Sequence, residues 1–205
     1  MDDIISIREK INQMAEHVLS MLVSTFDGFM KHDLDKLSSV IEEENKLNDM
    51  ERSLSFSLIQ VSKEKSKAVD NRDITLLVEI IADLEEIGDY IKDMIERIEI
   101  KIEEKLLFSE DALSEYKHLY NVVEAELVDV EKALKMNDKS FANRILCSQE
   151  QVDQLVAKYR EAHAKRLVAG ICLPRACNMF LDLLDFTAQI SRHTKTVAKN
   201  ILELK

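Results

Sequence analysis

The chain has 205 residues, enough for one large domain or two small units. Three glycines, one proline and no tryptophan, with 33% of residues charged, exclude a strand-rich protein, which needs frequent turn residues. The net charge of −11 opposes generic nucleic-acid binding, because backbone phosphates would be repelled.

Three cysteines, an odd number, do not make a disulfide framework and fit a reducing cytosol. No apolar run approaches the roughly 18–20 residues of a membrane span. The start, "MDDIISIREK", is acidic and lacks the apolar stretch of a signal peptide. The expectation is a cytoplasmic chain with no transmembrane segment of its own.

Apolar residues recur at spacings of three and four almost throughout, the period of a helix with one buried face. The first helix carries Ile4, Ile7, Ile11, Met14, Val18, Met21, Val23 and Phe26. "KHDLDK" at 31–36 breaks the pattern, and Asp33 is placed to cap the second helix. That helix runs through Leu37, Val40, Leu47, Leu54 and Leu58 to about Lys67, with "VDNRD" at 69–73 as the next turn. The third carries Leu77, Ile80, Leu84, Ile87, Ile91 and Ile98, and continues to about Lys105.

Ser109, followed by Glu110 and Asp111, caps a fourth helix to about Met136. Asp138 in "MNDKS" caps a fifth, ending near Leu167. Gly170 and Pro174 in "AGICLP" mark the end of that helix and the first turn of the sixth.

The six helices read as three repeated twice. Asp33 and Asp138 open the second helix of each half. "DLEEIGDYIKDMIERI" (83–98) lies over "FTAQISRHTKTVAKNI" (186–201), with Ile87-Gly88 on Ile190-Ser191 and Ile98 on Ile201. Long helices joined by short turns pack antiparallel. The predicted fold is all-α, six long helices as two repeated antiparallel three-helix bundles. Residues 1–107 and 108–205 form the repeats, together one compact unit.

"DLEEIGDYIKDMIER" resembles the signature on the third helix of each PhoU repeat. "EEENKLNDMERSL" (42–54), "KIEEKLLFSEDAL" (101–113) and "YREAHAKRLVAGICLPRACNMFLDLLDF" (159–186) resemble the cytosolic C-terminal PhoU-type domain of bacterial Na⁺/phosphate cotransporters. The resemblance covers nearly the whole chain. It implies two three-helix bundles side by side, E/DxxxD motifs able to bind clusters of iron, zinc or similar cations, and a regulatory, non-enzymatic role in phosphate uptake.

Physical reasoning gives the acidic stretch a meaning of its own. Glu85 and Asp89 are four apart, so they share one helix face beside the apolar stripe of Ile81, Leu84 and Ile91, at the rim of a bundle. Glu96 continues the column. A bound cation would reverse the repulsion of two carboxylates one turn apart, and oxygen ligands suit hard or borderline metals. Lys92 falls in the same column and could neutralise them without a metal. The resemblance adds Glu44 and Asn48 on the second helix as partners, with Asn48 standing where the family has an acid.

In the second copy Glu85 becomes Ala188, Asp89 becomes Arg192, Lys92 becomes Lys195 and Glu96 becomes Lys199. The facing positions are Gln149 and Asp153, and Arg192 is expected to pair with Asp153. His193, which matches the family's histidine beside the motif, is the one remaining candidate ligand. If a divalent or iron-type metal binds, it is therefore expected at the first repeat, at Glu85 and Asp89.

Cys172 and Cys177 flank Pro174 without a second pair, so reduced thiols are expected there. Glu115-x-x-His118 is one unit of the di-iron type, where two such units are needed. The expected function is a regulatory domain of a Na⁺/phosphate cotransporter, acting from the cytosolic side. The alternatives are a free-standing PhoU-like adaptor of a phosphate transporter or sensor kinase, and a metalloenzyme built on Glu85 and Asp89. The expected partner is the transporter or its regulators, at the inner face of the membrane, with homodimer formation open.

Overall fold

The computed structural model describes residues 4–63 and 71–205, leaving aside the side chains of 149 and 150. The expected end of the second helix near Lys67 and the first part of the "VDNRD" turn lie outside the described residues. Helices α1 (Ile4–Lys31), α2 (Leu34–Lys63) and α3 (Asn71–Glu103) make the first half. The second comprises α4 (Glu110–Met136), α5 (Lys139–Cys147), α6 (Gln149–Val168) and α7 (Pro174–Glu203). The described residues are all-helical, with no strand.

The caps behave as the residue types dictate. His32 turns the chain with a left-handed φ of 56°, and Asp33 Oδ1 accepts the backbone N–H of Lys36 at 3.0 Å. Ser109 accepts from Ala112 at 3.2 Å, and Asp138 from Ser140 at 2.9 Å. Gly170 has φ 68°, a conformation a side chain resists, and the Ile171 N–H closes onto the Arg166 carbonyl at 2.9 Å. Pro174 stands in the first turn of α7, where its missing N–H costs nothing.

The fifth helix departs from expectation. It is divided at Ser148 into α5 and α6. The Ser148 hydroxyl reaches back to the Ile145 carbonyl at 2.8 Å, and the Ser148 N–H bonds the same carbonyl at 3.2 Å, three residues back instead of four. A serine side chain that competes for helix carbonyls tightens and bends the turn.

Helices α3 and α7 form the spine and pack along each other more extensively than any other pair. Their inner faces, Ile80, Ile87, Ile91 and Ile98 on α3 and Leu183, Ile190, Val197 and Ile201 on α7, are buried. Full burial of each such side chain contributes about 1.5–3 kcal/mol. A second seam joins α1 to α4, where Phe26 stacks on Tyr120 at 3.7 Å and Phe29 meets Tyr116 edge-on at 5.4 Å. Buried side chains from all the helices make one continuous core. Each half therefore presents its third helix to the other.

Candidate cation site and its charge-reversed counterpart

The acidic column lies where α3 faces α2. Glu85 is half-buried and Asp89 exposed at the rim, while Glu44 on α2 is 2% exposed. Asn48 Nδ2 donates to Glu44 Oε1 at 2.8 Å, and Lys92 Nζ lies 3.4 Å from the same oxygen. The lysine foreseen as an internal counter-ion thus pairs with Glu44, and its charge also reaches Asp89.

Glu85 and Asp89 remain short of positive charge. Burial, then the charge of Asp89, pushes the Glu85 carboxyl above its usual range; burial, then Glu44, does the same to Asp89. Asn48 Oδ1 is buried with no hydrogen-bond donor. A carbonyl oxygen without a donor, next to carboxylates that resist ionisation, is the environment a hard cation relieves. As placed they are not closed around an ion: among the described residues, Glu44, Glu85 and Asp89 do not all bring an oxygen within 4.8 Å of one another.

The backbone around the column is fixed by close approach. Gly88, between Glu85 and Asp89, lets α3 lie directly on α2, and a Cβ there would come 2.2 Å from Leu47 Cδ2 and 4.0 Å from Met21 Cε. A side chain at this point would have to push Leu47 aside.

The matching place on α7 is built differently. Ala188 is buried, supplying no ligand. Arg192 reaches Asp153 at 3.9 Å, but both side chains are more than half exposed. The side chain of Gln149 lies outside the described residues. His193 Nδ1 is 2.8 Å from Asp83 Oδ1 on α3, a bond that ties the two halves together. The hydrogen bond to Asp83 pushes the His193 pKa up, against burial.

The central charges of the second half were not foreseen. Glu126 on α4 is 4% exposed and accepts from Ser191 Oγ at 2.6 Å and from Ser148 Oγ at 2.5 Å. Lys195 Nζ, also buried, lies 3.9 Å from Glu126. Burial pushes the Glu126 carboxyl up and the Lys195 ammonium down. The sequence carried a signal: Glu126 interrupts the stripe of Val123, Leu127 and Val130, a charge on the buried face of α4. Ser191, which stands where the first half has Gly88, gives its hydroxyl to that charge.

Glu115 and His118 do not act together. Glu115 receives two bonds from Arg166, at 2.5 and 3.1 Å, and His118 Nδ1 pairs with the Tyr159 hydroxyl at 2.7 Å. Among the described residues, no helix is long and apolar enough to cross a membrane.

Residues 11–98 match the PhoU domain, a stretch that includes both helices of the acidic site. No curated protein matches the chain in sequence. The fold is similar to that of PhoU from Pseudomonas aeruginosa, with a TM-score of 0.89 at 19% identity over 98% of this chain and 96% of that one. It is also similar to the phosphate transport system regulatory protein PhoU from Streptococcus pneumoniae, with a TM-score of 0.85 at 13% identity over 97% and 92% of the two chains. A PhoU-like phosphate regulatory protein from Shewanella oneidensis aligns with a TM-score of 0.60 at 12% identity over 97% and 92%.

Proposed function

We propose that the chain is a PhoU-like regulator of phosphate transport, acting by docking and not by catalysis. The observation that carries this reading is the match of residues 11–98 to the PhoU domain, which contains Glu44, Asn48, Glu85 and Asp89. The non-enzymatic reading is supported by Glu115 and His118, each held by a structural partner. The transporter proposed as its target is a Na⁺/phosphate cotransporter, contacted at the cytoplasmic face of the membrane. That choice rests on the resemblance of 101–113 and 159–186 to the cytosolic domain of such proteins. A free-standing adaptor is the second reading, favoured by the similarity to two PhoU structures over nearly their whole length.

The proposed cofactor is one divalent or iron-type cation at the first repeat, held by Glu85 and Asp89, with Glu44 and the Asn48 carbonyl oxygen beside them. It would supply charge neutralisation between α2 and α3. Removing the coding sequence from the source cell and following radiolabelled phosphate uptake tests the functional reading. Deregulated sodium-dependent uptake supports the cotransporter, and deregulated sodium-independent uptake supports the free-standing adaptor. Unchanged uptake under both conditions contradicts a regulatory role.

A further inference from the structure

The turn between α6 and α7 gathers three side chains that the acidic column does not involve. His163 comes from the last turns of α6, Cys172 from the turn after Gly170, and Cys177 from the first turn of α7. One ligand atom from each lies within 4.8 Å of the other two. We propose that His163, Cys172 and Cys177 bind a borderline transition-metal ion, with Zn²⁺ the best match, in a three-ligand site whose fourth position faces solvent.

The distances support this. The two Sγ atoms are 3.7 Å apart. Two thiolates on one tetrahedral zinc, with Zn–S near 2.3 Å, sit about 3.8 Å apart. A disulfide would need about 2.05 Å. The thiols are therefore separated as co-ligands.

The histidine is the independent observation. His163 is 2% exposed, and neither ring nitrogen makes a hydrogen bond of normal geometry, though the Cys177 backbone is near enough to raise its pKa. A buried imidazole left without partners is costly, and such exceptions call for an explanation. Its ring is stacked on Phe180 at 4.4 Å, which fixes its plane beside the thiols. A metal on one nitrogen removes the deficit.

The electrostatics agree. Burial, then the Arg166 guanidinium, holds the His163 imidazole below its usual pKa. Burial and the neighbouring Cys172 push the Cys177 thiol up to about 11. A bound ion would displace the thiol protons, about two per ion, and leave the centre neutral inside the fold. Cys172 is only partly buried, which gives the ion its way in. Thiolate and imidazole select ions that the carboxylates of the first half do not prefer. The sequence hid this site because His163 lies on α6, while Cys172 is in the following turn and Cys177 on α7.

Anaerobic titration of the reduced, metal-free chain with Co²⁺ tests the proposal. The expected result is a thiolate-to-cobalt charge-transfer band with the intense visible bands of a tetrahedral centre, saturating at one ion and displaced by Zn²⁺. Cys172→Ser, at a partly exposed position that tolerates the change, should weaken Zn²⁺ binding at least about 100-fold, since loss of an outer partner alone costs 10–100-fold. Cys147→Ser should leave the thiolate band unchanged. Absence of the thiolate band, a band that survives Cys172→Ser, or a band that follows Cys147 would each overturn the site.

Discussion

The two halves place the same helix at the same seam and treat charge there in opposite ways. On α3 the column is acidic and reaches the rim, burial and neighbouring acids raise Glu85 and Asp89, and the Asn48 oxygen of α2 lacks a donor. On α7 the charge has moved inward: Lys195 is buried against Glu126, with Ser191 and Ser148 completing the acid's hydrogen bonds. The exposed Arg192, which sequence alone made the centre of that half, sits outside this network. On the proposed reading the first half takes its cation from solution, while the second has Lys195 built into its core. Two matching seams would then keep their packing while differing in whether the positive charge is exchangeable or permanent.

The largest test of that contrast is at the buried pair. Lys195→Met should destabilise by about 3–5 kcal/mol, because the Glu126 carboxylate stays buried without its cation. Glu126→Gln together with Lys195→Met should recover most of the loss, read by chemical denaturation. The Lys195→Met deficit should also depend on pH. Burial raises the folded pKa of Glu126. The protonated acid is therefore tolerated below the unfolded pKa of about 4.3, and stability falls as pH rises through the raised value. A deficit that does not shrink on acidification would show that Glu126 is not the stranded charge.

The next effect separates Gly88 from Ser191. Gly88→Ala forces a Cβ into Leu47, which is fully buried. Overpacking costs about 1–3 kcal/mol, offset by up to about 1 kcal/mol of helix propensity, so a net loss of about 1–2 kcal/mol is expected. Ser191→Ala introduces no overlap, but strips a donor from buried Glu126, also at about 1–3 kcal/mol. The two losses should respond differently to Leu47→Ala: relieved for Gly88→Ala, unaltered for Ser191→Ala.

A smaller effect concerns the strap between the halves. The folded pKa of His193 is raised by Asp83. Its stabilisation should be complete below an unfolded pKa of about 6.5 and lost as pH rises through the folded value. Asp83→Asn should cost about 1 kcal/mol at acidic pH and less above neutrality. A cost independent of pH would mean that the ring is held by packing alone. Smallest of all is Arg192→Ala, at about 0–1 kcal/mol, because the Asp153 pair is exposed.

Helix periodicity and caps made most of the fold legible. Asp33, Ser109, Asp138, Gly170 and Pro174 each perform the task their residue type suggests, since those effects are local. The division at Ser148 was not legible, because it depends on a hydroxyl held by Ile145 and by Glu126 from another helix. The site was legible along one helix and obscure between helices. Spacing placed Glu85 and Asp89 on one face, but could not assign Lys92 to Glu44 or His193 to Asp83. Glu126 was readable in principle, as a lone charge on an apolar stripe. His163 was not, since only folding brings it to the cysteines.

The most direct test is to soak crystals of the chain with Mn²⁺, an oxygen-preferring ion, and map its anomalous scattering. The account predicts a peak bounded by Glu85 and Asp89 with Glu44 and Asn48 beside it, abolished by Glu85→Ala, and none between Glu126, Lys195 and Arg192. A peak in the second half, or a first-half peak that persists in Glu85→Ala, would contradict it.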